Sequence, residues 1–440
     1  MKDLGELTLS AYVTATVAAK PLARALLAWR RLKGKEDPTR WRERTGEASL
    51  PRGAGPTVWV HSASVGETVA IMPLVHRIAA TGLNVVMTTV TRTSASLLEN
   101  RLPAGVCHQF VPLDIKPYVD RFLDAWDPQL AIFVESEIWP VTLSRLADRN
   151  IPLVISNARM SPRSFAGWMR WPSAAHAVFG RIRDCLAQSE DDAERFRELG
   201  VLRVANIGNI KFDAPVPEAP RTLTEALKAA VQSRPVLLAA STHPGEEEVV
   251  LDAFAKVLAH RDDLLLILAP RHPARSADVA ALVTERGFRG AIRSVGALPG
   301  PQTQVYIADT VGELGSFYRL ATVAFVGGSI NPKIGGHNPI EPAGLGAAIV
   351  SGPHVGNWPH AYEALKEQKA LIEVNDAEEL YDAFDRLINF DNTRVVQVQA
   401  ARRVVSRLTG ALARTQTAME PLIDPLIVSM RLQRQRSRPG

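Results

Sequence analysis

Residues Gly327 to Ala343 read GGSINPKIGGHNPIEPA, and this glycine-rich segment follows an apolar run at residues 321–326. The apolar run is typical of a buried strand. After the loop, Asn338 is a good N-cap and Pro339 a good first helical residue, so the pattern predicts a strand, a glycine-rich turn and a helix start. The free N–H groups and positive dipole end of a helix start favour an anion, so the segment predicts a phosphate site.

Glu341 stands one turn into the same predicted helix, where phosphate alone would not favour a carboxylate. A ribose diol accepts such a partner, so the two features together favour a nucleotide over simple phosphate. The glycines lack the spacing of the dinucleotide fingerprint and of the P-loop lysine motif. Taken alone, the loop is explained equally well as a tight turn in an ordinary α/β unit.

Short apolar runs alternate with helical patterns along most of the chain. The predicted strands cover residues 57–61, 84–89, 107–111, 130–134 and 152–156 in the first half, and 235–240, 264–268, 304–307, 321–326 and 347–350 in the second. This alternation predicts an α/β fold with doubly wound parallel sheets. In such sheets, ligands bind beyond the carboxyl ends of the strands.

The length of 440 residues exceeds one ordinary core and indicates two domains. A proline-rich connector, APVPEAP at residues 214–220, marks the boundary between them. We predict an N-terminal helix within residues 1–35, Rossmann-like domains at 36–214 and 221–415, and a helix end with a basic tail at 416–440. Two closing helices are expected at 377–387 and 395–419, and Pro421 should end the second.

Carboxylates follow two predicted strands of the first half, Glu67 after one and Glu135 with Glu137 after another. A carboxylate in this position is a reasonable general base for a hydroxyl group. Capping of the following helix explains Glu67 equally well, and it is the favoured interpretation for Glu137, which precedes Pro140 at a predicted helix start.

Lysine and arginine total 51 against 46 acidic residues, a net charge of +5. Much of the surplus lies at residues 30–44 and 431–438, and few aromatics interleave with it, which favours an anionic membrane surface over nucleic acid. A solvated basic face is an equally good interpretation. The only cysteines, Cys107 and Cys185, argue against a disulfide framework and for an intracellular protein, and no metal-ligand spacing is present.

Residues 4–27 are largely apolar, but three charged residues interrupt them and Pro21 breaks them. A membrane span needs about 20 uninterrupted apolar residues, and no cleavage site of a signal peptide follows. Trp29 and basic residues come directly after, so we expect a helix that lies on or dips into a cytoplasmic leaflet. The alternative is a helix packed on the body of the protein.

Eight segments, in this order, resemble the signature series of the 3-deoxy-D-manno-octulosonic acid (Kdo) transferases. They read HSASVGE (61–67), VESEIWP (134–140), SNARMSPRS (156–164), GNIKFD (208–213), STHPGEE (241–247), LAPRHP (268–273), VGEL (311–314) and FVGGS with GGHNPIEPA (325–343). Each is weak alone, whereas the ordered set is specific and extends over residues 20–410. The resemblance implies the type-B glycosyltransferase fold, in which two Rossmann-like domains face a cleft.

The resemblance further implies transfer of Kdo from CMP-Kdo to a lipid A precursor (lipid IVA) at the cytoplasmic face of the inner membrane. It implies inversion at the sugar carbon, with neither a metal nor a cofactor. The family's general base matches Glu67, and its transition-state-stabilising residues match Glu135 and Lys211. Its CMP contacts match Pro270, Arg271, Val311, Gly312, Glu313, Asn338, Pro339, Ile340 and Glu341.

Basic residues at predicted strand ends agree with anionic substrates, because Kdo carries a carboxylate and both CMP and the lipid carry phosphate. These residues are Arg92, Arg159, Arg163 and Lys211. Two alternatives stay open. A sugar-nucleotide epimerase of the same architecture would act on a UDP-sugar without a membrane, and a membrane-associated scaffold would keep the fold without chemistry. The acidic pair Glu67 and Glu135 beside Lys211 argues against a scaffold.

Overall fold

The computed structural model describes residues 2–99, 101–213 and 220–436, so residues 214–219 of the predicted connector and the end of the basic tail lie outside the described residues. The chain divides into two compact units. The first comprises Met1–Ala214 with Thr409–Gly440, and the second comprises Pro215–Leu408.

The first unit is built on a seven-stranded parallel sheet. Its strands are β1 (Thr57–Ser62), β2 (Asn84–Thr89), β3 (Val106–Phe110), β4 (Pro128–Val134), β5 (Leu153–Ala158), β6 (Asp184–Ala187) and β7 (Val204–Asn206). Its first nine helices are α1 (Lys2–Ala18), α2 (Lys20–Leu32), α3 (Val65–Ala80), α4 (Arg92–Leu98), α5 (Lys116–Trp126), α6 (Pro140–Asp148), α7 (Pro162–Trp168), α8 (Pro172–Phe179) and α9 (Glu190–Glu198).

The second unit repeats this plan with another seven-stranded parallel sheet. Its strands are β8 (Val236–Thr242), β9 (Leu265–Pro270), β10 (Gly290–Ile292), β11 (Val305–Ile307), β12 (Val323–Val326), β13 (Ala348–Ser351) and β14 (Ile372–Glu373). Its helices are α10 (Arg221–Val231), α11 (Glu246–Leu258), α12 (Ser276–Glu285), α13 (Leu314–Leu320), α14 (Ile340–Leu345), α15 (Pro359–Glu367), α16 (Ala377–Asn389) and α17 (Asp391–Leu408), and α18 (Ala411–Arg436) returns to the first unit.

Strand order places one switch point in each sheet. The orders are β3-β2-β1-β4-β5-β6-β7 and β10-β11-β9-β8-β12-β13-β14, so the winding direction reverses between β1 and β4 and again between β8 and β12. Ligands of doubly wound sheets bind at the carboxyl ends of the strands beside such a point. The two sheets confirm the predicted fold class.

Both faces of each sheet are covered, which explains the nearly continuous apolar strands. In β1, Trp59 packs into a core with Phe122 and Phe133, whereas Val58 and Val60 pack into a separate core on the opposite face. Successive strand side chains point to opposite faces, so a strand buried on both sides loses the alternation of apolar and polar residues. The strands β6, β7, β10 and β14 were not predicted. The last three contain no fully buried residue, so they lack the apolar run that revealed β11, β12 and β13 at similar length.

The end of the chain differs from the sequence prediction. One helix at 395–419 was expected, but the helix breaks at Gly410, whose φ of +89° only glycine adopts readily. Asp213 accepts hydrogen bonds from the main-chain N–H groups of Gly410 and Leu412. These N–H groups at the start of α18 therefore have a hydrogen-bond partner. Pro421 does not end α18, because the helix packs its apolar side, including buried Met419, on the core of the first unit.

The N-terminal helices pack on the first unit and also expose apolar side chains. Leu9 and Val13 of α1 are buried in the core that covers α8, and Leu27 of α2 is buried as well. The outer sides of both helices present Leu4, Leu7, Leu22, Leu26, Trp29 and Leu32 to solvent. Among the described residues, no helix combines the length and the apolar character needed to cross a membrane.

Candidate active site

Glu67 lies at the switch point of the first sheet, in the first turn of α3 directly after β1. Its carboxylate accepts hydrogen bonds from the Ala63 main-chain N–H (2.8 Å) and from the Ser64 hydroxyl (2.7 Å), while the Glu67 N–H donates to Ser64 Oγ (3.3 Å). The Ser64 hydroxyl caps α3, and Glu67 in the first turn holds that hydroxyl, so the capping interpretation of Glu67 is confirmed. Capping uses only part of the acceptor capacity of a carboxylate, so it does not exclude a role as base.

The surroundings of Glu67 favour proton uptake. Burial raises the pKa of the Glu67 carboxyl, the hydrogen bonds from Ser64 and Ala63 oppose this, and the negative charges of Glu135 and Glu137 raise it further; the net shift is upward. A carboxylate with a raised pKa holds a proton better near neutral pH, which is what a general base requires. The structure therefore brings three glutamates predicted from the sequence together.

Glu135 follows β4 with a φ of +63°, a left-handed conformation uncommon for a residue with a side chain. Its carboxylate forms an ion pair with Lys211, whose Nζ lies 2.5 Å from Glu135 Oε1. The turn that carries Lys211 is held by Asn157, whose Oδ1 accepts the Ile210 N–H at 3.0 Å. Asn157 thus has a positioning function that sequence reasoning missed, although it stands directly after the predicted strand.

Glu137 does not cap α6, so that expectation was wrong. Asp114 accepts the N–H groups of Val141 and Thr142 at 3.1 and 2.8 Å and caps the helix instead. Glu137 Oε2 accepts the Trp139 indole N–H at 2.8 Å and lies 3.4 Å from His61 Nε2. Burial acts to raise the pKa of Glu137, but these hydrogen bonds and the neighbouring imidazole outweigh it, and the pKa lies below its usual value.

Arg92 borders a second feature of the first unit, a basic cavity beyond β2 and β3. The cavity has a volume of about 740 Å³, and its charged and hydroxyl-bearing lining includes four basic residues, Arg30, Lys35, Arg40 and Arg92, two acidic residues, Asp37 and Glu99, and Thr91 and Thr93. Arg30 and Arg40 form ion pairs with Glu36 and Glu43, whereas the Arg92 guanidinium donates to the Gly34 carbonyl at 2.8 Å. Arg159 and Arg163, the other arginines expected at strand ends, are exposed.

In the second unit, the glycine-rich loop does not offer the free amides that its sequence predicts. The N–H groups of Gly328, Ser329 and Ile330 donate to the carboxylate of Glu246 at 2.7, 2.9 and 3.1 Å, and the His243 N–H adds a fourth bond at 2.9 Å. Glu246 is almost fully buried. The predicted phosphate site at these amides is therefore occupied by an internal carboxylate, a pairing of distant residues that local sequence does not reveal.

The helix after this loop begins one residue later than predicted. Pro339 precedes α14, and Asn338 Oδ1 still accepts the Ile340 N–H at 2.9 Å. Asn338 Nδ2 donates to Glu341 Oε1 at 3.2 Å, and burial raises the pKa of Glu341 despite this bond. With only six residues, α14 contributes a weaker dipole than the sequence suggested.

The other residues expected to contact CMP surround a small cavity of about 120 Å³ in the second unit. Its lining includes Ser241, Pro270, Arg271, Val311 and Gly312. Val311 is 86% exposed, and Gly312 has a φ of +85°, so the loop presents backbone and a small apolar surface.

Glu313, by contrast, is engaged within the unit. Its carboxylate forms a two-pronged ion pair with Arg293, with both distances 2.9 Å, and accepts the Thr310 hydroxyl. Burial acts to raise the Glu313 pKa, but these partners hold the pKa below its usual value. A nucleotide contact from Glu313 is therefore easiest through its main chain.

No group of three or more metal-ligating side chains occurs in the described parts of the chain. A metal-independent reaction stays a prediction.

Comparison with solved structures places both sheets in one known fold. A glycosyltransferase from Rickettsia africae ESF-5 matches with a TM-score of 0.55 at 15% identity, over 84% of this chain and 99% of the other. A UDP-GlcNAc 2-epimerase from Neisseria meningitidis matches with a TM-score of 0.53 at 11% identity, over 81% and 100%. Both matches show the fold, a pair of doubly wound α/β sheets that occurs in a glycosyltransferase and in an epimerase.

Sequence comparison gives the family. The model of the 3-deoxy-D-manno-octulosonic-acid transferases matches residues 39–214. A 3-deoxy-D-manno-octulosonic acid transferase from Haemophilus influenzae is 35% identical over 385 residues, which is 86% of this chain and 90% of the relative. The chain belongs to the Kdo transferase family, as its motif series predicts.

Proposed function

We propose that the enzyme transfers Kdo from CMP-Kdo to a lipid A precursor, lipid IVA, with inversion at the sugar carbon and without a metal. One observation carries this proposal. Glu67, with its raised pKa, stands beside Glu135 and its partner Lys211 at the switch point of the first sheet. In this proposal, Glu67 removes the proton of the acceptor hydroxyl, the hydroxyl oxygen bonds to the sugar carbon, and CMP leaves with the electron pair of the broken bond.

The proposed donor contacts lie in the second unit. Pro270, Arg271, Val311 and Gly312 line one cavity, and residues 338–341 carry a carboxylate suited to a ribose hydroxyl. The guanidinium of Arg271 would neutralise charge that builds on the CMP phosphate as the bond breaks. Lys211 and Glu135 would stabilise the transition state from the first unit.

The experiment is a transfer assay with purified enzyme, CMP-Kdo and lipid IVA, read by mass spectrometry of the lipid. We expect the mass of one or more Kdo residues to be added, with CMP released and with full activity in excess EDTA. A parallel reaction with UDP-GlcNAc tests the epimerase alternative. A nucleotide product formed from UDP-GlcNAc, with no Kdo on the lipid, would overturn the proposal.

Replacing Arg271 by alanine should weaken CMP binding about tenfold or more, because a charged hydrogen-bonding partner of phosphate is lost. Calorimetric titration with CMP measures this. Arg286→Ala, the same change at the exposed end of α12, is the matched control and should bind CMP like the parent. Unchanged CMP affinity in Arg271→Ala would remove this residue from the donor site.

We further propose that the basic cavity beside Arg92 binds a phosphate of the lipid acceptor. Arg92→Gln should raise the KM for lipid IVA about tenfold, because the phosphate loses one charged partner, and should leave the KM for CMP-Kdo unchanged. Arg101→Gln removes the same charge just beyond the far end of α4 and should change neither constant. A rise in the donor KM instead would contradict this assignment.

The exposed apolar side of α1 and α2 supports a place at the cytoplasmic face of the inner membrane. The exposed leucine and tryptophan side chains can insert into the membrane interface, and Arg31, Lys33 and Lys35 can contact anionic lipid headgroups. Flotation with vesicles that contain anionic lipid tests this. Binding that does not depend on anionic lipid would argue against the charge contribution.

A further inference from the structure

Three imidazoles gather at the carboxyl ends of three adjacent strands in the second unit. His243 follows β8, His272 follows β9, and His337 lies in the loop after β12. The Nε2 atoms of His243 and His337 are 2.9 Å apart, and their rings stack with centroids 5.2 Å apart. The His272 ring stands edge-on to His243 at 5.8 Å. Sequence reasoning gave these histidines no role, although His243 and His272 closely follow predicted strands and His337 lies in the glycine-rich segment.

The carboxylates next to this cluster are already engaged. Glu246 accepts its four main-chain N–H groups, and Glu247 is held by Arg275 and the Thr242 hydroxyl. Arg271 behaves differently, because none of the ion pairs within the described ranges includes its guanidinium. The surface formed by Arg271 and the three histidines therefore combines a guanidinium without an ion-pair partner and several ring nitrogens. These groups are suited to binding an anion.

The surroundings of His243 and His337 favour the neutral form of both rings. Burial and then the neighbouring His243, Arg271 and His272 lower the pKa of His337 to about 4, and burial also lowers the pKa of His243. A neutral imidazole carries one ring N–H and one ring acceptor. Its N–H can donate to an anionic oxygen, and the anion in turn favours the charged form of the ring.

The geometry points to binding of the donor's phosphate ester against Arg271, His272 and His337, with His243 holding the His337 ring in place. This inference rests on the proposed function and adds the groups that recognise the phosphate. His337 directly precedes residues 338–341, so the phosphate contact would adjoin the proposed ribose contact. The main-chain amides of Gly328, Ser329 and Ile330 are bound to Glu246, so they are not available to the phosphate. In this inference, side chains next to the loop bind the phosphate instead.

The test compares CMP with cytidine, which lacks the phosphate. Calorimetric titration of both ligands is made with the parent enzyme, His337→Ala and His272→Ala. We expect each variant to bind CMP about tenfold or more weakly and cytidine as the parent does, because only the phosphate contact is lost. His337→Gln keeps a side-chain N–H and should recover part of the CMP affinity. His260→Ala, an exposed histidine that precedes β9, is the matched control.

Each alternative outcome is distinct. Equal losses of CMP and cytidine affinity would mean that the histidines only shape the loop, and unchanged CMP affinity would mean that they do not touch the phosphate; either result overturns the inference. Failure of the parent enzyme to bind CMP would overturn the proposed donor as well. His272 is exposed, so its variant keeps the test valid if His337→Ala does not fold.

Discussion

Glu67→Gln is expected to reduce Kdo transfer by about 10²- to 10⁴-fold, the usual contribution of a general base. Glutamine is nearly isosteric and keeps one oxygen as an acceptor, so α3 should remain intact, whereas Glu67→Ala would also remove both side-chain hydrogen bonds at the start of α3. Because the proposed CMP contacts lie in the second unit, the affinity for CMP should be nearly unchanged. Initial rates of transfer measure the loss of activity, and calorimetric titration measures the affinity for CMP.

The chain supplies a matched control in Asp192. This buried carboxylate occupies the same position in the first turn of α9, where it accepts the hydroxyl of the N-cap Ser189 at 2.7 Å and the Met160 N–H at 2.8 Å. Asp192→Asn should therefore cost stability to a similar degree but leave transfer near the parent rate. Equal loss of transfer in the two variants, or collapse of CMP binding in Glu67→Gln, would show that Glu67 acts as a cap and not as the base.

The pH profile gives an independent test of the same role. A base must be deprotonated, so transfer should fall as the pH falls through the pKa of Glu67. Because burial and the neighbouring glutamates raise that pKa, the acid limb of the profile should lie above the range of an ordinary glutamate. Glu67→Gln should lose this limb from its residual activity.

Local patterns predicted ten of the fourteen described strands and the position of the acidic site. Apolar runs of five or six residues predicted β1, β2 and β4, and the rule that ligands bind at carboxyl ends selected Glu67 and Glu135. These inferences succeed because strand burial and helix starts depend on neighbouring residues. Which strands border the switch point depends on strand order, which the sequence alone did not supply.

Other features could not be predicted from neighbouring residues, because they are contacts between residues far apart in the chain. Asp114, not Glu137, caps α6, and Asp213 meets the start of α18 nearly 200 residues later. His243 and His337 are 94 residues apart. Each of these contacts requires the tertiary fold to be known first, whereas the ordered motif series identified the family without it.

The glycine-rich loop shows the same limit most clearly, because its main chain is bound by a glutamate 82 residues earlier in the chain. Glu246 Oε1 accepts the N–H groups of Ser329 and Ile330, and Oε2 accepts those of Gly328 and His243. In Glu246→Gln, an NH₂ group must replace one oxygen, so two buried main-chain N–H groups face a donor whichever way the amide is turned. Each unpaired buried group costs about 1–3 kcal/mol, so a loss of about 2–6 kcal/mol in the free energy of unfolding is expected.

Glu248 provides the matched control, because it lies in the same first turn of α11 but accepts only the Gly245 N–H at 3.1 Å and is only half-buried. We expect Glu246→Gln to lower the urea midpoint, to speed hydrogen exchange at the amides of residues 328–330 and to abolish CMP binding, whereas Glu248→Gln should change each measurement little. The loop would lose the anion that holds its main chain and, with it, the position of the residues that follow.

Slow exchange at these amides in Glu246→Gln would contradict this account, since it would require another acceptor for all of them. CMP binding that became stronger in Glu246→Gln would show instead that the loop prefers phosphate and that Glu246 competes with the donor.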